Sequence, residues 1–162
     1  DGSFDALLFK INENGDLLWW KTHGTDATDI GFALCQLNDN RIVLLGGTTL
    51  PDNTPAHFRA VFDANGNLLG SSTTPADDEV LEIRATATAD GGYAMMRTEG
   101  FFFDSNVKIS KYNAALAESW SGTLEAFSLL IGLNISRLHD IKATSAGLLL
   151  CLGASNSHTL VE

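Results

Sequence analysis

Basic residues are scarce in this chain: ten Lys and Arg stand against twenty Asp and Glu, a formal charge of −10 over 162 residues. Such a surface repels phosphate backbones and anionic headgroups, and no cluster of Lys and Arg offsets it, which argues against a nucleic-acid partner. Long apolar runs are missing too. A membrane-spanning helix needs about 20 consecutive apolar residues, whereas the greasiest stretches here, such as residues 147–152, have the length of a strand. No membrane-spanning segment is expected. Cysteine is limited to Cys35 and Cys151. Two cysteines make no disulfide framework, and both sit inside apolar runs (GFALCQL and LLLCLG), which predicts buried free thiols.

The usual signatures of catalysis are also absent. His23, His57, His139 and His158 are scattered, and there is no Ser nucleophile elbow, His-x-x-x-His pair or Cys-x-x-Cys. No catalytic residue, metal-ligand set or cofactor is therefore expected. The turns NENGD and DANGN have the alternating oxygens of a calcium loop, yet they are far shorter than an EF-hand loop and lack its distal Glu.

What the chain does have is a repeat. Asn14-Gly15 and Leu17-Leu18 return as Asn65-Gly66 and Leu68-Leu69, all at an offset of 51. Thr22 and Asp26 return as Thr73 and Asp77, and Leu7, Phe9 and Ile11 map onto Phe58, Ala60 and Phe62. A third copy appears at an offset of 101, where Lys10-Ile11-Asn12 becomes Lys111-Tyr112-Asn113 and Trp19 becomes Trp120. A fixed period of this size marks repeat architecture.

Each copy reads as four strands in two hairpins. In the first, FDALLFKIN leads to Asn14-Gly15, which suits a two-residue turn with positive φ angles. DLLWWKT returns, a polar loop HGTDATD follows, and GFALCQL and RIVLLGG form the second hairpin. One four-stranded sheet cannot bury both of its faces, whereas sheets stacked radially can. The expected fold is all-β, a partial β-propeller of three four-stranded antiparallel blades. All of the chain belongs to one propeller domain, with blades at residues 4–54, 55–106 and 107–157, and residues 158–162 opening a further blade. Because propellers close with four to eight blades, the ring is expected to be finished by further sequence or by copies of the chain. Each end of a three-blade arc would otherwise bare an apolar sheet face, such as that of Leu7, Phe9 and Ile11.

Two groups of residues are candidate binding sites. His23, Asp26 and Asp29 in the first long loop, with Asp77, Asp78 and Glu79 in the second, would line one rim if the loops sit at equivalent places. Trp19 and Trp20 are adjacent on a strand and so face opposite ways; one packs in the core and the other is free to stack on a sugar. Residues 101–103, three consecutive Phe, suggest a wedge between blades or a contact for a neighbouring protein.

The run FDALLFKINENGDLLWWKTHGTDATDIGFAL resembles the repeats of secreted and outer-membrane β-propeller proteins of Bacteroidetes-type bacteria. Asp5-Ala6, Lys10, Asn14-Gly15, Trp19 or Trp20, Asp29 and Gly47-Thr48 carry the likeness in the first copy. Asp63, Asn65-Gly66 and Asp90-Gly91-Gly92-Tyr93 carry it in the second, and the third copy follows more loosely. The resemblance implies an exported protein at the bacterial outer-membrane surface or outside the cell, often lipid-anchored through sequence not present here, and it carries over no catalytic residue. It implies a binding or scaffold module that presents loops to a surface protein or a glycan. The alternative is part of a carbohydrate-active propeller enzyme whose catalytic groups lie partly outside this segment. Partners would be the remaining blades of the same protein or another subunit.

Overall fold

The computed structural model describes residues 4–101, 104–124 and 133–156. Among them the chain forms twelve strands and no helix. β1 (Ala6–Ile11) and β2 (Leu17–His23) make a two-stranded sheet 1. β3 (Ile30–Gln36), β4 (Ile42–Thr49), β5 (Pro55–Phe62) and β6 (Leu68–Pro75) make a four-stranded sheet 2. β7 (Val80–Ala87), β8 (Tyr93–Phe101), β9 (Asp104–Tyr112) and β10 (Glu118–Thr123) make sheet 3. β11 (Leu133–Thr144) and β12 (Gly147–Asn156) pair as sheet 4. Every pairing is antiparallel and every neighbour is consecutive in sequence.

The strands and the fifty-residue period are as expected, but their grouping is not. Three sheets of four were anticipated; two sheets of four lie between two sheets of two. The physical reason is in the turns. Asn12 closes the first one: its side-chain Oδ1 accepts from the Asn14 and Asp16 amides at 2.9 Å each, and Gly15 takes φ +88° while Asn14 does not leave the ordinary region. This is a three-residue loop with a left-handed Gly and a bulge, rather than the two-residue turn expected. Asp63 and Gly66 rebuild it one repeat later. The same backbone closure recurs at Leu50–Thr54, where the Leu50 amide bonds the Thr54 carbonyl at 2.9 Å and Asn53 takes φ +66°. That turn joins β4 to β5 as a hairpin, so the sheet runs through the place where one blade was expected to stop. From sheet 1 to sheet 3 the chain changes sheet at the longer links, residues 24–29 and 76–79.

The sheets stack face to face with three apolar layers between them. Alternation along β4 shows how: Ile42 and Leu44 face sheet 1, together with Phe58 and Phe62, while Val43 and Leu45 face sheet 3 and meet Ile83, Tyr93 and Met95. β8 does the same one layer on, with Ala94 and Met96 turned toward Ile141 of sheet 4. Strands buried on both faces read as continuous apolar runs, which is why RIVLLGG and YAMM look alike. At the two outer faces the alternation meets no further layer among the described residues. Leu7, Phe9 and Ile11 are exposed on the outer face of β1, and Leu149 on that of β12. Cys35 is buried, and burial pushes its thiol up to about 12. Cys151, expected to be buried likewise, is exposed, since no layer covers that face of sheet 4 among the described residues. The side chains of residues 101–103 and the strand expected at 158–162 lie outside the described residues.

Candidate functional site

The long link between β2 and β3 is organised by Asp29. Its carboxylate is buried and accepts from the Thr25 amide at 2.6 Å and the Thr25 hydroxyl at 3.0 Å. Asp29 therefore holds the loop from within and does not face its rim. His23 is half-buried, 5.1 Å from the Phe58 ring centroid, and burial lowers its pKa against the pull of Asp29 and Asp5. In the second loop Asp77 is drawn into an ion pair with Lys108, and the Asp78 carboxylate accepts from the Glu79 amide at 2.7 Å. Asp26, Asp78 and Glu79 remain exposed. Among the described residues no three acidic, His or Cys groups gather as a metal site would require.

The two tryptophans separate as their adjacency requires. Trp19 packs against the layer between sheets 1 and 2 and lies over the turn at Gly66, where an added Cβ would sit 2.9 Å from its ring. Trp20, opposite Phe9, is 60% exposed on the outer face.

A different site emerges between sheets 2 and 3. Around β3, β4 and β7 this layer is apolar; between β5–β6 and the stretch from Arg97 of β8 across to Glu118 of β10 it is polar and hollow. A cavity of about 360 Å³ is lined there by His57, Arg59, Ser72, Thr74, Arg97 and Glu118, with Tyr93 and Tyr112 at its back. The tyrosine rings stack at 4.7 Å and 8°. Arg59 donates to the Leu116 carbonyl at 2.8 Å and to the Tyr93 hydroxyl at 3.4 Å, and its guanidinium lies 5.4 Å from the Tyr112 centroid. Below it Arg97 and Lys108 both pair with Glu99, Lys108 at 2.9 Å. Burial would raise the Glu99 pKa, but the bonds from Arg97 and Lys108 outweigh it and hold the group below its usual range. The Asp77 amide also bonds Glu99, at 3.2 Å, which ties the second long loop to the ion cluster that holds Arg97 of the cavity wall.

His57 is the anomaly in this network. It is 5% exposed, and its Nδ1 has no hydrogen-bond partner among the described residues. Burial, and then the neighbouring Arg97, push its pKa down to about 4, so it is neutral at pH 7. A buried polar atom without a partner costs about 1–3 kcal/mol, and such atoms merit a functional explanation.

Sequence reasoning did not find this cavity. The signal was present: His57 and Arg59 alternate with Ala56, Phe58 and Ala60, and Arg97 and Glu99 alternate with Met96 and Thr98. Read alone, such a pattern means one buried and one solvated face. Only the stacking of sheet 2 on sheet 3 turns the polar faces of β5 and β8 toward each other. No protein-family model matches the chain, and no curated protein matches its sequence.

Proposed function

We propose that the chain is a non-catalytic glycan-binding module, an arc of a β-propeller carried by an exported bacterial surface protein. The polar cavity between sheets 2 and 3 carries the reading. Its rim offers Ser and Thr hydroxyls, a carboxylate and a guanidinium, the alternating donors and acceptors that suit a ring of sugar hydroxyls, while the neutral Nδ1 of His57 has no partner among the described residues. Trp20 supplies an exposed ring at a separate place for stacking. The repeat, the face-to-face stacking of successive sheets and the likeness to Bacteroidetes-type repeats support the propeller and the exported setting.

The alternative, a carbohydrate-active enzyme, calls for two carboxylates flanking the scissile bond. Glu118 is the one carboxylate on the cavity wall among the described residues, and Glu99 is committed to Arg97 and Lys108. A glycan array probed with the 162-residue chain tests the proposal, with Glu118→Gln and Thr74→Val as cavity variants. Retention of a glycan by the parent and its loss in both variants is the expected result. Binding that neither variant weakens, or retention of no glycan, would refute it, and hydrolysis of a retained glycan would establish the enzyme instead.

A further inference from the structure

The polar cavity lies between the two four-stranded sheets, and one patch of its wall is laid out by the pairing of β5 with β6. His57 and Arg59 are two residues apart on β5 and so share a face, about 6–7 Å from each other. In the antiparallel register Thr74 stands opposite His57 and Ser72 opposite Arg59, each pair about 5 Å apart at Cβ. All four line the cavity. The patch is a rectangle with a guanidinium at one corner, an imidazole at the next and two hydroxyls across from them, a footprint that suits a single sugar ring.

The charges of this wall are unequally matched. Arg97 is paired with Glu99, and Lys108 with Glu99 and Asp77. Arg59 has no carboxylate partner among the described residues. Its Nη1 donates to the Leu116 carbonyl and the Tyr93 hydroxyl, while Nε and Nη2 donate to no described residue. Those two N–H groups form the edge of the guanidinium that matches the two oxygens of a carboxylate. Arg59 is half-buried, and a charge drawn out of water calls for a counter-ion. Four charged groups bear on the buried ring of His57: Arg59 from its own strand, Arg97 and Glu99 from β8, and Lys108 from β9. That is three cations against one carboxylate, and β4 and β6, which flank β5, add no charge. The Tyr93 and Tyr112 phenols share the cavity, as does Glu118, which is exposed on β10 and accepts from the Ser121 hydroxyl at 2.8 Å.

We propose that the glycan held in this cavity is acidic, a sugar whose carboxylate is taken by the Nε–Nη2 edge of Arg59 while its hydroxyls meet Ser72, Thr74 and Glu118. The inference rests on the glycan reading above and names the class of sugar. A carboxylate seated on Arg59 supplies the missing counter-ion and comes within reach of His57, two residues along the strand. Glu118 sets the orientation, because it repels the carboxylate of the ligand and accepts from its hydroxyls. A bound anion favours the imidazolium form of His57, so the complex takes up a proton as pH falls. Affinity for the acidic sugar therefore grows from pH 7 toward pH 5, where the sugar carboxylate is still ionised.

A glycan array that sets uronic-acid and sialic-acid glycans beside their methyl esters, with sulfated glycans as a third arm, tests it on the 162-residue chain. Acids are expected to be retained and their esters to bind roughly ten-fold more weakly or worse, the loss of one charge-assisted contact. Arg59→Gln, checked for its sheets by circular dichroism, is expected to hold acid and ester alike. The parent protein gives a second readout that needs no variant. The His57 ring proton, followed by NMR, is expected to titrate above its free value of about 4 when the chain is saturated with the acid, and not with the ester. Equal retention of acid and ester, stronger retention of the sulfated glycans, or a His57 titration that the acid leaves unmoved would overturn the inference and leave the glycan reading standing. Discrimination that survives in Arg59→Gln would overturn it as well. Retention of no glycan at all would overturn both.

Discussion

Phe62 and Ile11 occupy the same place in two copies of one repeat, at the last inward position before the hairpin turn, and their surroundings could hardly differ more. Phe62 is 2% exposed, packed between its own sheet and the hairpin that precedes it; Ile11 is 53% exposed, with no hairpin laid on that face of its sheet among the described residues. The sheets are built alike strand by strand, so the difference comes from the neighbour and not from the strand. Burial in a repeat protein belongs to the interface between units, and an uncovered unit shows what a covered one would be without it.

Truncating both residues sharpens the contrast most. Phe62→Ala is expected to destabilise the chain by about 3–5 kcal/mol, the range for a large aromatic removed from a packed core. Ile11→Ala is expected to stay within about 0.5 kcal/mol in the monomer. Chemical denaturation of the two variants checks this, and equal losses would show that sheet 1 shields its own outer face.

The layer between sheets 2 and 3 yields the next largest effect. His57 has a pKa of about 4 in the fold against 6.5 when unfolded. The unfolded chain thus binds more protons below pH 6.5, and stability is full above that value and falls as pH drops toward 4. The loss is on the order of 3 kcal/mol over that span. Denaturation midpoints measured across pH 4 to 7 are expected to follow this slope in the parent. His57→Gln is expected to reduce it, leaving the part that His23, whose pKa burial also lowers, contributes from the layer between sheets 1 and 2.

The smallest of the three effects compares the turns. Gly15 and Gly66 both hold φ near +80 to +90°, so alanine at either is expected to cost about 1 kcal/mol from backbone strain. Gly66→Ala also drives a methyl to 2.9 Å from the Trp19 ring. It is expected to lose roughly another 1–2 kcal/mol as the ring is displaced. Thermal unfolding of the two variants as monomers reads the gap directly, and no gap would mean that the Trp19 ring yields freely.

Much of the fold was legible beforehand, for a local reason. Strand positions, the period of 51 and the hairpin sites rest on alternation and on Asn, Asp and Gly at turns, all of which act within a few residues. The opposite facing of Trp19 and Trp20 follows from the pleat alone. The grouping of the strands was not legible in the same way. Leu50–Thr54 contains Pro51 and no Gly, and read as a boundary; its closure with Asn53 in the left-handed region made it a hairpin like the rest. Of the eight candidate site residues, the sequence could place them on loops and on one strand, but not show that Asp29 turns inward to Thr25 or that Asp77 is engaged by Lys108.

The sequence by itself determined a chain of repeated antiparallel hairpins, since side-chain alternation and turn chemistry are written residue by residue. Tertiary structure alone decided which hairpins share a sheet and which faces meet. The polar faces of β5 and β8 carry His57, Arg59 and Arg97, and nothing local to either strand distinguishes a face turned to water from one turned to another polar face. That distinction depends on contacts between residues more than thirty positions apart, as between Arg59 and Tyr93. It came into being only when one sheet was laid upon the next.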